Sequence, residues 1–203
     1  MSAPPDEILK VGMYTLRYIA GTAEFKIRYN ASNGNLTNVI FGYSDASWGD
    51  NKDTRRSTSG YCFFLNGAVI SWGSRIQTKV ALSTVEAEYY AMSEALQEAI
   101  WLRKLANEFG IMKKEKEMIL YIDSKGAENF IDHPTSHRRT KHIEIRRLWI
   151  KEQLNEHNIR IEWIDTKNMI ADVFTKPMPA ERHAMLTQIM MNLTQDEINS
   201  LQS

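Results

Sequence analysis

Residues 39–50 read VIFGYSDASWGD, and their apolar start predicts the first strand of the main fold, over about 39–46. This strand carries an aspartate, Asp45, among residues that other elements should cover. An ionised carboxylate in such a place is costly unless a positive charge or a hydrogen-bond donor meets it. The pattern therefore indicates that a cation or a hydrogen-bond donor contacts Asp45.

The residues that follow predict a hairpin and then alternating helices and strands. STSGYCFFL (57–65) and AVISWGS (68–74) flank Asn66-Gly67, a pair that favours a two-residue hairpin turn. Next come a long helix (about 84–108), a strand (118–123) and a short helix before Pro134. A basic helix (about 142–156), a strand (159–164) and a short helix that begins near Asn168 follow. This order predicts an α/β fold, with a five-stranded mixed sheet of three antiparallel strands followed by two parallel ones, and helices on both faces.

Shorter pieces flank this main body. Residues 6–20 carry apolar side chains near helical spacing, and a short strand, FKIRY (25–29), and a turn-rich linker follow them. We therefore predict an N-terminal helical appendage over 1–38, a main domain over 39–178, and a C-terminal helical extension over 179–203 that contains a pair of helices.

Further acids fall near the predicted position of Asp45. Asp123 ends an apolar strand, where open α/β sheets place their ligands, and Asp172 lies in the first turn of the helix after the last strand. In the long helix, Glu88 lies at the edge of the apolar stripe and is predicted to face the sheet, whereas Glu86 is predicted to face water. That stripe is formed by Val85, Tyr89, Met92, Leu96 and Ala99.

Four carboxylates gathered at one sheet edge are suited to hard divalent cations, and Mg²⁺ prefers carboxylates and water as ligands. Two such ions about 3.5–4 Å apart can activate a water and stabilise the leaving oxygen of a phosphodiester. Taken singly, each acid is more often a turn, a cap or a solvated charge. A glycosidase with two carboxylates explains neither four clustered acids nor the basic helix.

A basic segment stands out in a chain whose formal net charge is zero. Between His137 and Lys151 there are six Arg or Lys residues against a single acid, Glu144. This segment is either a solvated helix face or a surface that binds phosphates. Zinc binding by His137 and His142 is disfavoured, since no cysteine lies nearby. The five tryptophans are predicted to pack in the core or at its rim.

Composition restricts where such a protein works. One cysteine, Cys62, in an apolar run excludes a disulfide framework within the chain. The first residues lack the basic start and apolar core of a signal peptide, and no stretch approaches the length of a membrane span. We expect a protein of the cytoplasm or of the nucleus, neither secreted nor bound to a membrane.

Residues 41–178 resemble the ribonuclease H domain of copia-type retrotransposon Pol polyproteins. The resemblance rests on the run from GYSDASWGD (42–50) through STVEAEYYAMSEA (83–95), and on HRRTKHIEI (137–145) and NMIADVFTKP (168–177). The opening helix, ILKVGMYTLRYIAGT (8–22), resembles the tail of the reverse transcriptase that precedes that domain.

This resemblance implies a ribonuclease H-like fold and two-metal-ion hydrolysis of the RNA strand of RNA–DNA hybrids during retroelement reverse transcription. The implied cofactor is Mg²⁺, with Mn²⁺ as a substitute, and the implied partners are the hybrid and the upstream reverse transcriptase. The family's metal-binding catalytic acids correspond to Asp45, Glu88, Asp123 and Asp172. Candidate nucleic-acid contacts are Ser83 and Thr84 at the start of the long helix and Arg138, Arg139, Thr140, Lys141 and His142 in the basic segment.

Two departures from ribonuclease H patterns leave questions open. The loop IDTKNMIAD (164–172) lacks the histidine that cellular ribonucleases H carry there, so either a metal-held water or Lys167 would protonate the leaving oxygen. Ser124 follows the third acid where an asparagine is common, and serine can still cap a helix. The alternative function is a non-catalytic, retroelement-derived protein that keeps the fold to bind nucleic acid or to serve a host.

Overall fold

A computed structural model describes residues 5–29, 38–113, 115–132 and 141–193. Its centre is a five-stranded sheet in the order β3-β2-β1-β4-β5. The strands are β1 (Ile40–Ser47), β2 (Thr58–Leu65), β3 (Ala68–Ile76), β4 (Met118–Ile122) and β5 (Ile159–Trp163). β1, β2 and β3 pair antiparallel, whereas β4 runs parallel to β1 and β5 parallel to β4. The predicted sheet is confirmed.

The turn between β2 and β3 shows how local sequence determines the sheet. Asn66 and Gly67 both have positive φ, 49° and 90°, as a two-residue hairpin with the twist of the strands requires. The ladder between β2 and β3 shifts by one residue between Phe63 and Phe64, as at a β-bulge. The predicted hairpin is therefore present, with one irregularity in its ladder that the sequence did not predict.

The described residues form five α-helices: α1 (Pro5–Gly21), α2 (Thr84–Glu108), α3 (Lys125–Asp132), α4 (Lys141–Glu156) and α5 (Ala180–Met191). On one face, α2 packs its predicted apolar stripe against the inward side chains of β1, β2 and β4, and α3 and α4 add Ala127 and Ile150 to this core. On the other face, Leu186 and Met190 of α5 pack with Cys62 and Phe64. Helices therefore cover both faces, as predicted.

Two predicted elements differ in detail. FKIRY (25–29) is not a strand: it has no regular structure, and the backbone N–H of Arg28 donates to Met191 O at 3.0 Å beside α5. The short helix expected near Asn168 is instead two 3₁₀ helices, Thr166–Asn168 and Ile170–Phe174. Short 3₁₀ helices of this kind are common as connecting segments. The second helix of the C-terminal pair lies outside the described residues.

The start of α2 corrects the prediction for Glu86. Ser83 is the N-cap and accepts a hydrogen bond from Glu86 N–H at 3.1 Å, while the Glu86 carboxylate accepts one from Leu82 N–H at 2.7 Å. This pair resembles a capping box, except that the Glu86 carboxylate binds the N–H of Leu82, the residue before the N-cap. Glu86 is only 3% exposed, so the prediction that it faces water is wrong. Its charge is held over the helix start, where the helix dipole favours it.

The N-terminal helix α1 is largely uncovered. Its apolar residues are 45–74% exposed, and they are Ile8, Leu9, Val11, Met13, Tyr14, Leu16, Tyr18 and Ile19. After α1, Tyr29 joins the body through a hydrogen bond from its hydroxyl to Val69 O at 2.7 Å. The predicted boundaries of the three parts stay predictions. In the part of the chain that the structure describes, no helix combines the length and apolar character needed to cross a membrane.

Candidate active site

The candidate site begins with Asp45 near the carboxyl end of the central strand β1. Asp45 lies opposite Gly60 of β2 and is 2% exposed. A Cβ atom on Gly60 would lie 2.5 Å from Thr175 Cγ2 and 2.9 Å from Phe174 Cβ, so the absence of a side chain lets the end of the second 3₁₀ helix press onto β2. That approach brings the Thr175 hydroxyl to Asp45 Oδ2, to which it donates a short hydrogen bond.

Two further acids lie beside Asp45. Glu88 comes from the second turn of α2, and its carboxylate accepts a hydrogen bond from the backbone N–H of Ala46, which ties α2 to β1. Asp123 follows the last residue of β4, and because β4 is parallel to β1 the two strands end at the same sheet edge. One carboxylate oxygen from each of Asp45, Glu88 and Asp123 lies within 4.8 Å of the other two. We call these three residues the acidic triad.

Burial and mutual repulsion make the charged triad costly. Burial raises the pKa of Asp45 from its ordinary 3.8 to about 6, against the lowering effects of the Thr175 hydrogen bond and of Lys176. Burial also raises the pKa of Glu88 well above its usual range, and the charges of Asp45 and Asp123 add to this rise. Three oxygens converging at this spacing, with poorly compensated charge, fit a hard divalent cation.

Asp172, the fourth predicted acid, lies next to the triad and is paired with basic residues. It belongs to the 3₁₀ helix Ile170–Phe174 and is 6% exposed. The ammonium of Lys176 lies 2.8 Å from Asp172 Oδ1 and 3.9 Å from Asp45 Oδ2, and Arg182 Nη2 lies 3.9 Å from Asp172 Oδ2. Desolvation lowers the pKa of Lys176, but the bond to Asp172 and the charge of Asp45 outweigh it and raise the pKa overall.

Thr175, Lys176 and Arg182 were not among the site residues predicted from the sequence. The signal for the first two was present, because the quoted motif NMIADVFTKP places Lys176 four residues after Asp172. Lys167, which was considered as a proton source, instead pairs with Asp165 at 3.8 Å, and its side chain is 75% exposed. Among the described residues, Lys176 is therefore the lysine that contacts the acids of this site.

The predicted nucleic-acid contacts are only partly within the described residues. Ser83 and Thr84 are exposed at the start of α2, although the Ser83 side chain is also the helix cap. Arg138, Arg139 and Thr140 lie outside the described residues. Lys141 and His142 begin α4, but their side chains are not among those described. The roles of these seven residues stay predictions.

Two arginines of the basic segment pack against the protein. The Arg146 guanidinium lies 4.2 Å from the centre of the Tyr90 ring and donates a short hydrogen bond to Ser93 Oγ on α2. Arg147 is 7% exposed. Arg146 therefore helps to attach α4 to α2, and because Arg147 is buried, the predicted phosphate-binding surface can rest only on the other basic residues of the segment.

The tryptophans lie mainly at the rim of the fold, as predicted. Trp48, Trp72 and Trp101 are about half exposed. Trp163 closes one side of the candidate site, since its indole N–H donates to Asp123 O at 3.0 Å and Lys125 lies 4.1 Å from its ring centre. This bond fixes the backbone that carries the third acid of the triad.

Known structures with a similar fold are ribonucleases H. A ribonuclease H1 from the halophilic archaeon Halobacterium salinarum NRC-1 matches with a TM-score of 0.50 and 17% identity, over 67% of this chain and 93% of that one. LC11-RNase H1, crystallised in complex with an RNA/DNA hybrid, matches with a TM-score of 0.51, 17% identity and the same coverage. The chain therefore has the ribonuclease H fold.

Sequence relatives identify the kind of protein that contains this fold. The Pol polyprotein of transposon TNT 1-94 from Nicotiana tabacum is 34% identical over 187 residues, 92% of this chain and 14% of the relative. That of transposon RE1 from Arabidopsis thaliana is 35% identical over 178 residues, 88% of this chain and 12% of the relative. The chain is a homologue of one segment of the retrovirus-related Pol polyproteins of transposons. No family model matches the sequence.

Proposed function

We propose that this chain is a metal-dependent endoribonuclease that cuts the RNA strand of RNA–DNA hybrids during retroelement reverse transcription. The observation that carries the proposal is the acidic triad, Asp45, Glu88 and Asp123, gathered at one sheet edge of a ribonuclease H fold. The related LC11 enzyme was crystallised with such a hybrid, and the Pol-type relatives belong to transposons. The chain spans only 12–14% of those relatives, so their other activities are not assigned to it.

The triad would hold the cation, Mg²⁺ or in its place Mn²⁺, because carboxylate oxygens are the ligands that these hard ions prefer. Such an ion supplies Lewis-acid polarisation of a phosphodiester and makes water a stronger acid. The protein's own contribution is to position the carboxylates. The Thr175 hydroxyl orients Asp45, the Ala46 N–H orients Glu88, and the Trp163 indole holds the backbone of Asp123.

Substrate binding would use backbone phosphates, because the chain's neutral overall charge provides no long-range attraction. The exposed N-terminus of α2, with Ser83 and Thr84, offers backbone N–H groups beside Glu88, and helix N-termini favour phosphate. Arg138, Arg139, Thr140, Lys141 and His142 would contact phosphates along the duplex. Discrimination of RNA from DNA would come from contacts with 2′-hydroxyl groups.

The decisive experiment uses one labelled RNA annealed to complementary DNA, with Mg²⁺ or with EDTA. We expect cleavage of the hybrid in Mg²⁺, no cleavage in EDTA, and no cleavage of single-stranded RNA or duplex DNA. Asp123→Asn should abolish cleavage, whereas the same change at the exposed loop residue Asp53 should leave it intact. Equal cutting of all three substrates, or full activity in EDTA, would refute the proposal.

We further propose that α1 packs against the preceding polypeptide of a longer Pol-type chain, the reverse transcriptase. The proposal is supported by the exposed apolar side chains of α1, such as Leu9, Leu16 and Ile19, because an exposed apolar patch of this kind marks a protein–protein contact surface. Hydrogen exchange across residues 5–21 tests it in this chain and in one extended upstream. Protection of α1 that appears only in the extended chain supports the packing, and equal exchange in both chains contradicts it.

A second candidate function is that of a retroelement-derived protein that keeps the fold without catalysis. The observation that favours it is a relative named Secreted RxLR effector protein 161, from Plasmopara viticola, which is 48% identical over 87 residues, 43% of this chain and 59% of the relative. This candidate predicts hybrid binding without cleavage, and binding that survives Asp123→Asn. The expected location, in a cytoplasmic particle or the nucleus, stays a prediction.

A further inference from the structure

The fourth acid of the candidate site is not part of the triad. The three oxygens that converge within 4.8 Å come from Asp45, Glu88 and Asp123. Asp172 lies on the neighbouring 3₁₀ helix, and the structure connects it to Asp45 through Lys176, whose ammonium lies 2.8 Å from one carboxylate and 3.9 Å from the other. A positive charge of the protein therefore already lies between these two acids.

The backbone holds Lys176 in this place. The N–H groups of Thr175 and Lys176 donate to Asp172 O at 3.1 Å and 3.2 Å, so the residues after the acid fold back onto it. Gly60 allows the close approach of this turn to β2, and the Thr175 hydroxyl bonds Asp45. The position of the ammonium thus follows from the same contacts that build the site.

Charge balance also favours a lysine here. Asp45 and Asp172 are 2% and 6% exposed, and two nearby carboxylates that are so deeply buried repel each other strongly unless a cation lies close to both. Lys176 is 41% exposed at its side chain, so its ammonium is solvated on one side while it serves both acids. Arg182 adds a more distant positive charge on the far side of Asp172, at 3.9 Å.

We propose that the Lys176 ammonium takes the place of a second metal ion between Asp45 and Asp172, so that the protein free of nucleic acid binds a single divalent ion, at the triad. This inference deepens the proposed function and rests on it for the identity of the site. Asp172 then acts as a positioning residue for Lys176 in the free protein. A second ion between these two acids requires Lys176 to move away from Asp172, which its exposed side chain allows.

The test counts metal ions, which separates it from any assay of cleavage. Mn²⁺ is titrated into the purified chain without nucleic acid, and bound and free ion are distinguished by electron paramagnetic resonance. We expect one ion per chain for the wild type and for Asp172→Asn, none at the same concentrations for Asp123→Asn, and two for Lys176→Met. Lys167→Met is the matched control, since this exposed lysine pairs with Asp165, and it should bind one ion.

Three results would overturn the inference: two ions in the wild type, one ion in Lys176→Met, or loss of the ion in Asp172→Asn. No ion in the wild type would overturn the metal site itself, and with it the proposed function. Failure to cleave hybrid while these counts hold would contradict the proposed function and leave the role of Lys176 intact.

Stability provides a second measurement in case Lys176→Met folds poorly. Without its lysine, Asp172 keeps, among the described residues, the more distant Arg182 as its cation in EDTA, so Lys176→Met should lower the Tm. The double variant Asp172→Asn/Lys176→Met should recover most of that loss, because the buried charge is then gone. Additive losses in the double variant would show that the two residues are not coupled and would overturn the assignment.

Discussion

Asp45→Asn should stabilise the metal-free protein while abolishing cleavage. The substitution keeps the shape of the side chain and an oxygen that can accept the Thr175 hydroxyl bond, but removes a buried negative charge next to Glu88 and Asp123. Without a cation the ionised triad is destabilising, and sites of this kind are commonly maintained at a cost to stability. We therefore expect the variant to melt at a higher temperature than the wild type in EDTA at pH 7.5.

The magnitude follows from the raised pKa of Asp45. The pKa rises from 3.8 to about 6, roughly two pH units, and at about 1.36 kcal/mol per unit the ionised form destabilises the fold by ~3 kcal/mol. For a domain of this size, that is a difference in Tm of about 6–12 °C, as an upper limit. The pKa of Asp45 is higher in the folded protein than in the unfolded chain, so the protonated carboxyl stabilises the fold below pH 3.8. This stabilisation is lost as pH rises through about 6.

The assay is thermal unfolding of both proteins in EDTA between pH 4 and pH 8, with Asp53→Asn as an exposed control. The two melting temperatures should nearly agree at pH 4, separate as pH rises from about 4 to about 6, and keep a constant difference at higher pH. Added Mn²⁺ should then stabilise the wild type more than Asp45→Asn, because a ligand stabilises the state that binds it. A large drop in Tm for Asp45→Asn at pH 7.5 would refute the reasoning and make Asp45 a structural acceptor for Thr175.

Three other outcomes are expected. Glu86→Ala should lower the free energy of unfolding by about 1–2 kcal/mol in urea, because it removes a capping box, whereas Glu108→Ala at the exposed end of α2 should change it little. Gly60→Ala should cost about 1–3 kcal/mol and reduce cleavage, since its Cβ overlaps Thr175; Gly12→Ala, with open space around it, should leave the Tm equal or higher. Mn²⁺ should raise the Tm less at pH 5 than at pH 7.5, because protons compete for Asp45; an equal rise at both values would count against a cation held by Asp45.

The sheet could be predicted from sequence because each of its signals is local. Asn66-Gly67 favours a positive φ that few other pairs tolerate, and the strand-like apolar runs on either side of it predict the two paired strands. The parallel direction of β4 and β5 could be predicted because a helical segment precedes each of these strands in the chain. The residues FKIRY (25–29) show where local signals fail, since their strand-like pattern has no neighbouring strand to pair with and instead lies beside the end of α5.

The two glutamates of α2 show what helical phase can and cannot predict. The phase correctly placed Glu88 toward the sheet, where Ala46 N–H meets it. It failed for Glu86, because phase describes the middle of a helix and Glu86 is in its first turn, where the chain before the helix covers the side chain. The spacing of Ser83 and Glu86 is the sequence signature of a capping box, and this helix-start signal predicts a bound Glu86 where helical periodicity does not.

Lys176 is the reason for our proposal that the four predicted acids are not equivalent metal ligands. Residue type and approximate placement are visible in sequence, and they correctly suggested that Asp172 lies near Asp45. Whether a carboxylate faces solvent, a metal or a lysine depends on contacts between distant segments, here the approach of residues 170–176 to Gly60 of β2. Because a metal ion and an ammonium satisfy the same buried charge, the presence of Lys176 changes the predicted number of ions even though every acid is in place. Under this proposal the acid pattern predicts where a cation binds, and the basic residues around the acids determine how many of those cations are metal ions.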